Sequence, residues 1–186
     1  MTGVEIRPAT PDRWDDVVAV AGERGFTSGC WCTWWRLSAR AWDGMPAAER
    51  RAMLAGLVAD GCVPGLVAYV DGEPVGWAAV APRDEYPRLD RSTKLGRVDD
   101  TPVWSLTCFT VDRRHRRRGV AEALLAAAVE HAASRGATVV EGYPIDTAGG
   151  RRAGADLFTG TLAMFERAGF TEVARRGGRP VVRREV

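Results

Sequence analysis

Between residues 103 and 145 the chain passes from a nearly continuous apolar and β-branched run, VWSLTCFTV, through an arginine-rich turn and a helical stripe to a second β-rich run, ATVVEGYPI. The first run lacks polar alternation, so it reads as a strand covered on both faces. Val120 to Ala133 places apolar residues at 120, 121, 124, 125, 128, 129 and 132, the stripe of an amphipathic helix, and Arg135-Gly136 supplies its stop. A strand, a helix and a strand within about forty residues form a βαβ unit, with parallel strands and a right-handed crossover.

The remaining segments set this unit in a larger sheet. Val4 to Arg7 reads as a short strand. Thr10-Pro11-Asp12 then gives an N-cap with proline at the first helical position, starting a helix that runs to about Arg24 and ends at Gly25. Pro46 opens a second helix through Val58. The runs GLVAYV and PVGWAAV flank Asp71-Gly72, a dipeptide suited to both positive-φ positions of a type I′ hairpin. Leu157 to Ala168 reads as a last helix stopped by Gly169, and short runs near Glu172 to Ala174 and Pro180 to Arg183 complete the sheet. The expectation is a mixed α/β (α+β) fold, one domain over residues 1–186. Its central sheet is mixed but mostly antiparallel, holds one parallel strand-helix-strand unit and carries helices on its flanks.

Composition narrows the class. At 46% hydrophobic and 27% charged residues the chain is too apolar for a disordered tail. A domain of this length buries roughly 70% of its unfolded surface, enough for a core without disulfide or metal staples. No apolar run reaches a membrane span and the N-terminus lacks the order of a signal peptide, so the reading is a soluble, cytoplasmic protein with no membrane partner. The four cysteines, Cys30, Cys32, Cys62 and Cys108, do not form a secreted framework; reduced thiols and no metal are expected. A net charge of +2, carried on the basic side by arginine with the single Lys94, does not imply a nucleic-acid partner.

The segment VDRRHRRRGVAEALL, at the junction of the buried strand and its helix, carries the clearest chemistry. A helix start has backbone N–H groups without internal partners and a partial positive charge. Gly119 and Ala121 keep side chains out of the approach, Arg116, Arg117 and Arg118 add forked donors, and Arg113 and Arg114 raise the potential. This favours an anion, best a diphosphate. An arginine run alone also suits a solvated loop or a nucleic-acid patch, but those do not require its place between a buried strand and a small-residue helix start.

The spacing of Arg116, Gly119 and Ala121 resembles the Q/R-x-x-G-x-G/A acyl-CoA signature of the GNAT superfamily of N-acetyltransferases. The element order and the ending LAMFERAGF are also similar, so the resemblance covers nearly the whole chain. It implies acetyl-CoA as co-substrate. The backbone of Phe109 and Val111 would pair with the pantetheine arm, the N–H groups from Arg116 through Val120 to Ala121 would hold the diphosphate, and Val111 N–H would meet the oxyanion. Two departures stand out. Phe165 occupies the position of a frequent tyrosine acid, with Phe158 where an asparagine is common, and Ser105 stands where some members carry a glutamate base.

The expected catalytic pair is therefore Glu141 and Tyr143, which share a face of the second β-rich run by period-2 alternation. Burial would raise the Glu141 pKa toward a useful range for a base, and Tyr143 would protonate the leaving thiolate. The competing reading pairs Glu141 with a neighbouring arginine and packs Tyr143. Asp146 is a further candidate amine ligand, whereas Cys108, His115 and His131 read as structural or solvated. Four tryptophans fall between residues 31 and 42. Trp31, Trp34 and Trp35 are expected to wall the acceptor site, stacking on a flat substrate or cradling a cationic amine. The expected function is N-acetylation of a primary amine, of a small molecule, by direct attack in a ternary complex. The alternatives are a CoA-binding module without turnover and a basic nucleic-acid-binding protein; a homodimer is left open.

Overall fold

The computed structural model of the chain describes residues 3–148, 150 and 157–186. Its strands are β1 (Val4–Pro8), β2 (Gly65–Val70), β3 (Glu73–Pro82), β4 (Trp104–Val111), β5 (Val139–Gly142), β6 (Thr171–Arg176) and β7 (Arg179–Glu185). Its helices are α1 (Trp14–Ala21), α2 (Ala39–Gly44), α3 (Ala47–Ala59), α4 (Pro87–Asp90), α5 (Val120–Ser134) and α6 (Leu162–Arg167). The strands form one sheet in the order β1-β2-β3-β4-β5-β7-β6. Every neighbouring pair is antiparallel except β4 and β5, which run parallel with α5 as their crossover. The mixed, mostly antiparallel sheet with its parallel unit is thus the fold read from the sequence.

Apolar side chains leave the sheet toward two layers. On one face Leu106, Phe109 and Val140 pack with Leu124, Leu125 and Phe165 beneath α5 and α6. On the other, Val67, Trp77 and Cys108 meet Val17, Trp31 and Leu54 from the α1 and α3 side. A third group, centred on Tyr86, Leu89 and Tyr143, fills the end of that layer. Among the described residues no helix is long and apolar enough to cross a membrane.

Two features of β4 prepare the site. Its register against β3 slips between Ala79 and Val80, so Thr107 is an extra residue on β4, and a bulge of this kind bends its strand. Its pairing with β5 runs only from Trp104 opposite Val140 to Leu106 opposite Gly142. Beyond Leu106, β5 no longer accompanies β4. Gly142 stands at that parting because a side chain there would enter the ring of Phe165: a Cβ would lie 2.2 Å from Phe165 Cε1. Gly142→Ala should therefore cost about 1–3 kcal/mol as overpacking, seen as a lower calorimetric Tm, since Phe165 is fully buried and cannot step aside.

The sequence expectations differ from the structure at several ends. The Asp71-Gly72 turn has positive φ at both residues, +52° and +82°, as expected. α1 stops at Ala21 rather than Arg24 because Gly22 leaves helical geometry at φ +69°. α6 begins at Leu162 rather than Leu157: Gly160, at φ +80°, breaks the chain direction, and the Thr161 hydroxyl caps the helix by accepting from Met164 N–H. Helices α2 and α4 lie in segments without a periodic stripe and were not anticipated.

Candidate active site

The antiparallel ladder decides which amides of β4 are free. Asp112 N–H donates to Val75 C=O at 2.8 Å, and Gly76 stands opposite Val111, so alternation turns the amides of Thr110 and Asp112 toward β3. Those of Phe109 and Val111 face the opposite way, where β5 has departed. A cleft of about 570 Å³ follows this edge, lined among others by Phe109, Val111, Arg113, Arg116, Ala121 and Phe158. Within it Phe109 N–H donates to Phe158 C=O at 2.5 Å, and Val111 C=O accepts from Arg116 Nε at 3.1 Å.

At the end of the cleft the turn into α5 offers its own amides. Asp112 caps a 3-10 turn at Arg113–His115 by accepting Arg114 N–H. Arg117 and Gly119 then adopt positive φ, +61° and +78°, and the first α5 bond runs from Ala123 N–H to Gly119 C=O. Among the described residues, no amide from Arg116 to Glu122 donates to a backbone carbonyl. Unpaired amides at a helix start are the donors that an anion site there would use. Arg116, Arg117, Arg118 and Gly119 are exposed there, whereas the Val120 side chain is buried beneath the sheet and only its backbone faces the turn.

Phe158 also lines a second cavity, of about 370 Å³, on the other side of the splayed strands. Its walls come from Trp34 and Trp35, the Ser92–Leu95 segment, Asp146 after β5, and Gly177 to Arg179 at the β6–β7 turn. Of the expected aromatic wall, Trp34 and Trp35 are present and Trp31 is not. Trp31 is 3% exposed, packed between Trp14 and Phe26 and pressed on Gly25, which corrects its assignment as an acceptor residue. The Trp34 ring is already covered by the Arg88 guanidinium, 3.7 Å from its centroid, with Trp42 edge-on at 4.9 Å. Asp146 accepts from Ala148 N–H and Arg175 Nη1, and these bonds hold its carboxyl below the usual range.

The sequence model of the Acetyltransferase (GNAT) family matches residues 31–170. The chain belongs to that family. Known structures agree at the level of the fold. A GNAT-family acetyltransferase from Streptococcus agalactiae aligns with TM-score 0.58 and 14% identity over 99% of this chain and 96% of its own. The PaiA N-acetyltransferase of Thermoplasma acidophilum, solved in complex with coenzyme A, gives 0.54 and 12% over 99% of each. A GCN5-related N-acetyltransferase from Kribbella flavida gives 0.51 and 17% over 92% of this chain but 33% of that longer one. No curated protein sequence matches the chain.

In this GNAT acetyltransferase the expected acid and base are not at the clefts. Glu141 is 1% exposed and both oxygens are engaged: Oε1 accepts from Arg83 Nη1 at 2.6 Å and from the Tyr143 hydroxyl at 2.7 Å, and Oε2 from Arg183 Nε at 2.8 Å. Tyr143 is equally enclosed. Its hydroxyl also meets Arg83 Nη1 and Ser105 Oγ, each at 2.7 Å, and burial pushes its pKa well above the ordinary value. A carboxylate with no free oxygen and a phenol sealed from solvent cannot exchange protons with a bound amine, which corrects the general base and acid roles given to them. The two groups instead tie β5 to the Arg83 segment and to Ser105 of β4. Neither Arg83 nor Arg183 carried a sequence signal for this, since each is one arginine among many.

Phe165 is a core ring, edge-on to Phe109 and Phe170. Cys108 is buried in the sheet, with Cys32 near it accepting from Trp77 Nε1 at 3.0 Å. The half-buried Cys30 is different: hydrogen bonding from Cys32 lowers its pKa to about 7. Iodoacetamide should therefore label Cys30 at neutral pH, with a rate at half its limiting value near pH 7, as read by peptide mass spectrometry across a pH series. A rate still rising through pH 9 would remove the Cys32 contact as the cause. Among the described residues no group of three or more His, Cys, Asp or Glu is arranged to hold a metal ion.

Proposed function

We propose that this GNAT acetyltransferase moves the acetyl group of acetyl-CoA to the primary amine of a small molecule, by direct attack within a ternary complex. The observation that carries the reading is that the β4 cleft and the second cavity lie on either side of one residue, Phe158. The first has the free amides and arginines a nucleotide-linked thioester needs. The second has the size of a small-ligand site.

In this reading the amides of Arg116 through Ala121, including that of Val120 and the glycine amide of Gly119, hold the diphosphate. Arg113 and Arg116 reach it from the cleft wall, and Arg117 and Arg118 raise the local potential. Phe109 N–H and Val111 N–H receive the pantetheine arm and the thioester oxygen, Phe109 by giving up Phe158 C=O. Acetyl-CoA supplies an activated acyl carbonyl. Trp34 and Trp35 flank the acceptor, and Asp146 lies where it can orient the amine. No side chain of ordinary basicity is needed if orientation does most of the work, because positioning two reactants is worth about 7–11 kcal/mol. The residues of the whole chain, 1–186, act in this reading as one domain.

A CoA-binding module without turnover is favoured by one feature, the buried Phe165 where a proton donor is common. Thermal shift and thiol release separate the readings. Acetyl-CoA and CoA should each raise Tm by mass action, DNA should not, and at least one amine should release free thiol from acetyl-CoA. Stabilisation by acetyl-CoA without thiol release from any amine selects the module. A shift with DNA alone discards both.

A further inference from the structure

Among the described residues the charges of the second cavity are unbalanced. Arg179 Nη2 donates to Tyr143 C=O and Thr159 Oγ1, both at 2.9 Å and both neutral, and its Nε is buried without a partner among the described residues. Burial lowers its pKa, the mark of a guanidinium that its surroundings do not compensate. Lys94, the only lysine of the chain, reaches across Gly177 into the same cavity and forms no ion pair among the described residues. Among the described residues the one lining carboxylate, Asp146, already faces Arg175 at 2.7 Å. The Trp34 face that could have stacked on a ligand cation is held by Arg88.

The half-buried Arg179, with a buried Nε unpartnered and no carboxylate on it among the described residues, and the exposed Lys94 at the same cavity of about 370 Å³ together suit an anion. We propose that the acceptor is an amine of amino-acid size that also carries a carboxylate, bound by Arg179 and Lys94. This rests on the acetyl-transfer reading above for the identity of the cavity. The carboxylate anchors the molecule at the β6–β7 turn, and its amine points past Phe158 to the cleft along β4. Cationic polyamines and amino sugars without an acid group are disfavoured by the same two residues.

The test pairs each proteinogenic amino acid with its carboxamide, in thermal shift and calorimetry at saturating CoA, which permits binding without turnover. At least one acid should bind about tenfold or more tighter than its amide, the scale of one charge-assisted hydrogen bond. Lys94→Met and Arg179→Gln should each remove that preference and leave the shift with CoA unchanged. Arg179 also joins Tyr143 to Thr159, so the exposed Lys94 carries the test if the glutamine variant does not fold. Amides binding as well as acids across the panel, or variants weakening both alike, overturn the proposal. If such amides or other amines without an acid group still release thiol, acetyl transfer stands and only the carboxylate site falls. If acids are preferred but no amine releases thiol, the site stands and turnover falls.

Discussion

Glu141→Gln should lower stability by about 3–5 kcal/mol, because it leaves the buried Arg83 guanidinium without its interior counter-ion, while the less buried Arg183 keeps only Asp99. For a chain of this size that is roughly 6–20 °C in Tm. The loss is large because Arg83 is itself 3% exposed and cannot turn to water, while its remaining carboxylate, Asp90, lies at the surface end of the network. The Tyr143 hydroxyl, which donates to Glu141 and meets Ser105, exchanges a charged acceptor for a neutral one. The folded fraction, assayed well below its midpoint, should keep its kcat. A tenfold fall in kcat with full folding and unchanged stability would return Glu141 to the chemistry.

Ala121→Glu should abolish acetyl-CoA binding without harming the fold. A carboxylate in the first turn of α5 interacts favourably with the helix dipole, by about 0.3–1 kcal/mol, so Tm without ligand should hold or rise. The same carboxylate stands in the cleft beside Arg113 and Arg116 and at the free amides, where it takes the donors a diphosphate would use. Losing two charge-assisted contacts at about 1.5–3 kcal/mol each predicts a drop in affinity of roughly 10²–10⁴-fold, read as loss of the thermal shift and of calorimetric heat. A variant that still binds acetyl-CoA tightly would show that the anion lies elsewhere.

The parts of the molecule legible in sequence were those fixed by local rules. The stripe of α5, the Asp71-Gly72 hairpin and the unbroken apolar run of β4 each follow from periodicity or turn chemistry, and β4 and α5, with the β-rich run that follows, give the parallel unit. The helix start at Gly119 was readable for the same reason: its glycine and flanking arginines are adjacent in sequence. What could not be read was any partnership between distant segments. Glu141 and Tyr143 were correctly placed on one face, yet the arginines that occupy them come from positions 83 and 183, far along the chain. Trp31 and Trp34 differ by three residues and look alike in sequence, but Trp31 turns into the core at φ +44° while Trp34 reaches the surface. Lys94 and Arg179 meet only because the β6–β7 turn folds back over the segment before β4.

The hydrogen bond from Phe109 to Phe158 has a further consequence. Where β5 leaves, β4 presents a bare ladder edge, and such an edge is a template for a strand from another molecule. Phe158 C=O and the Arg116 side chain cover the Phe109 donor and the Val111 acceptor, two of the groups an intruding chain would have to use. In the function proposed above, protection of the edge and reception of the ligand draw on the same atoms. Whatever binds along this strand must first dislodge the protein's own guard, so the unliganded state is shielded until the moment of loading.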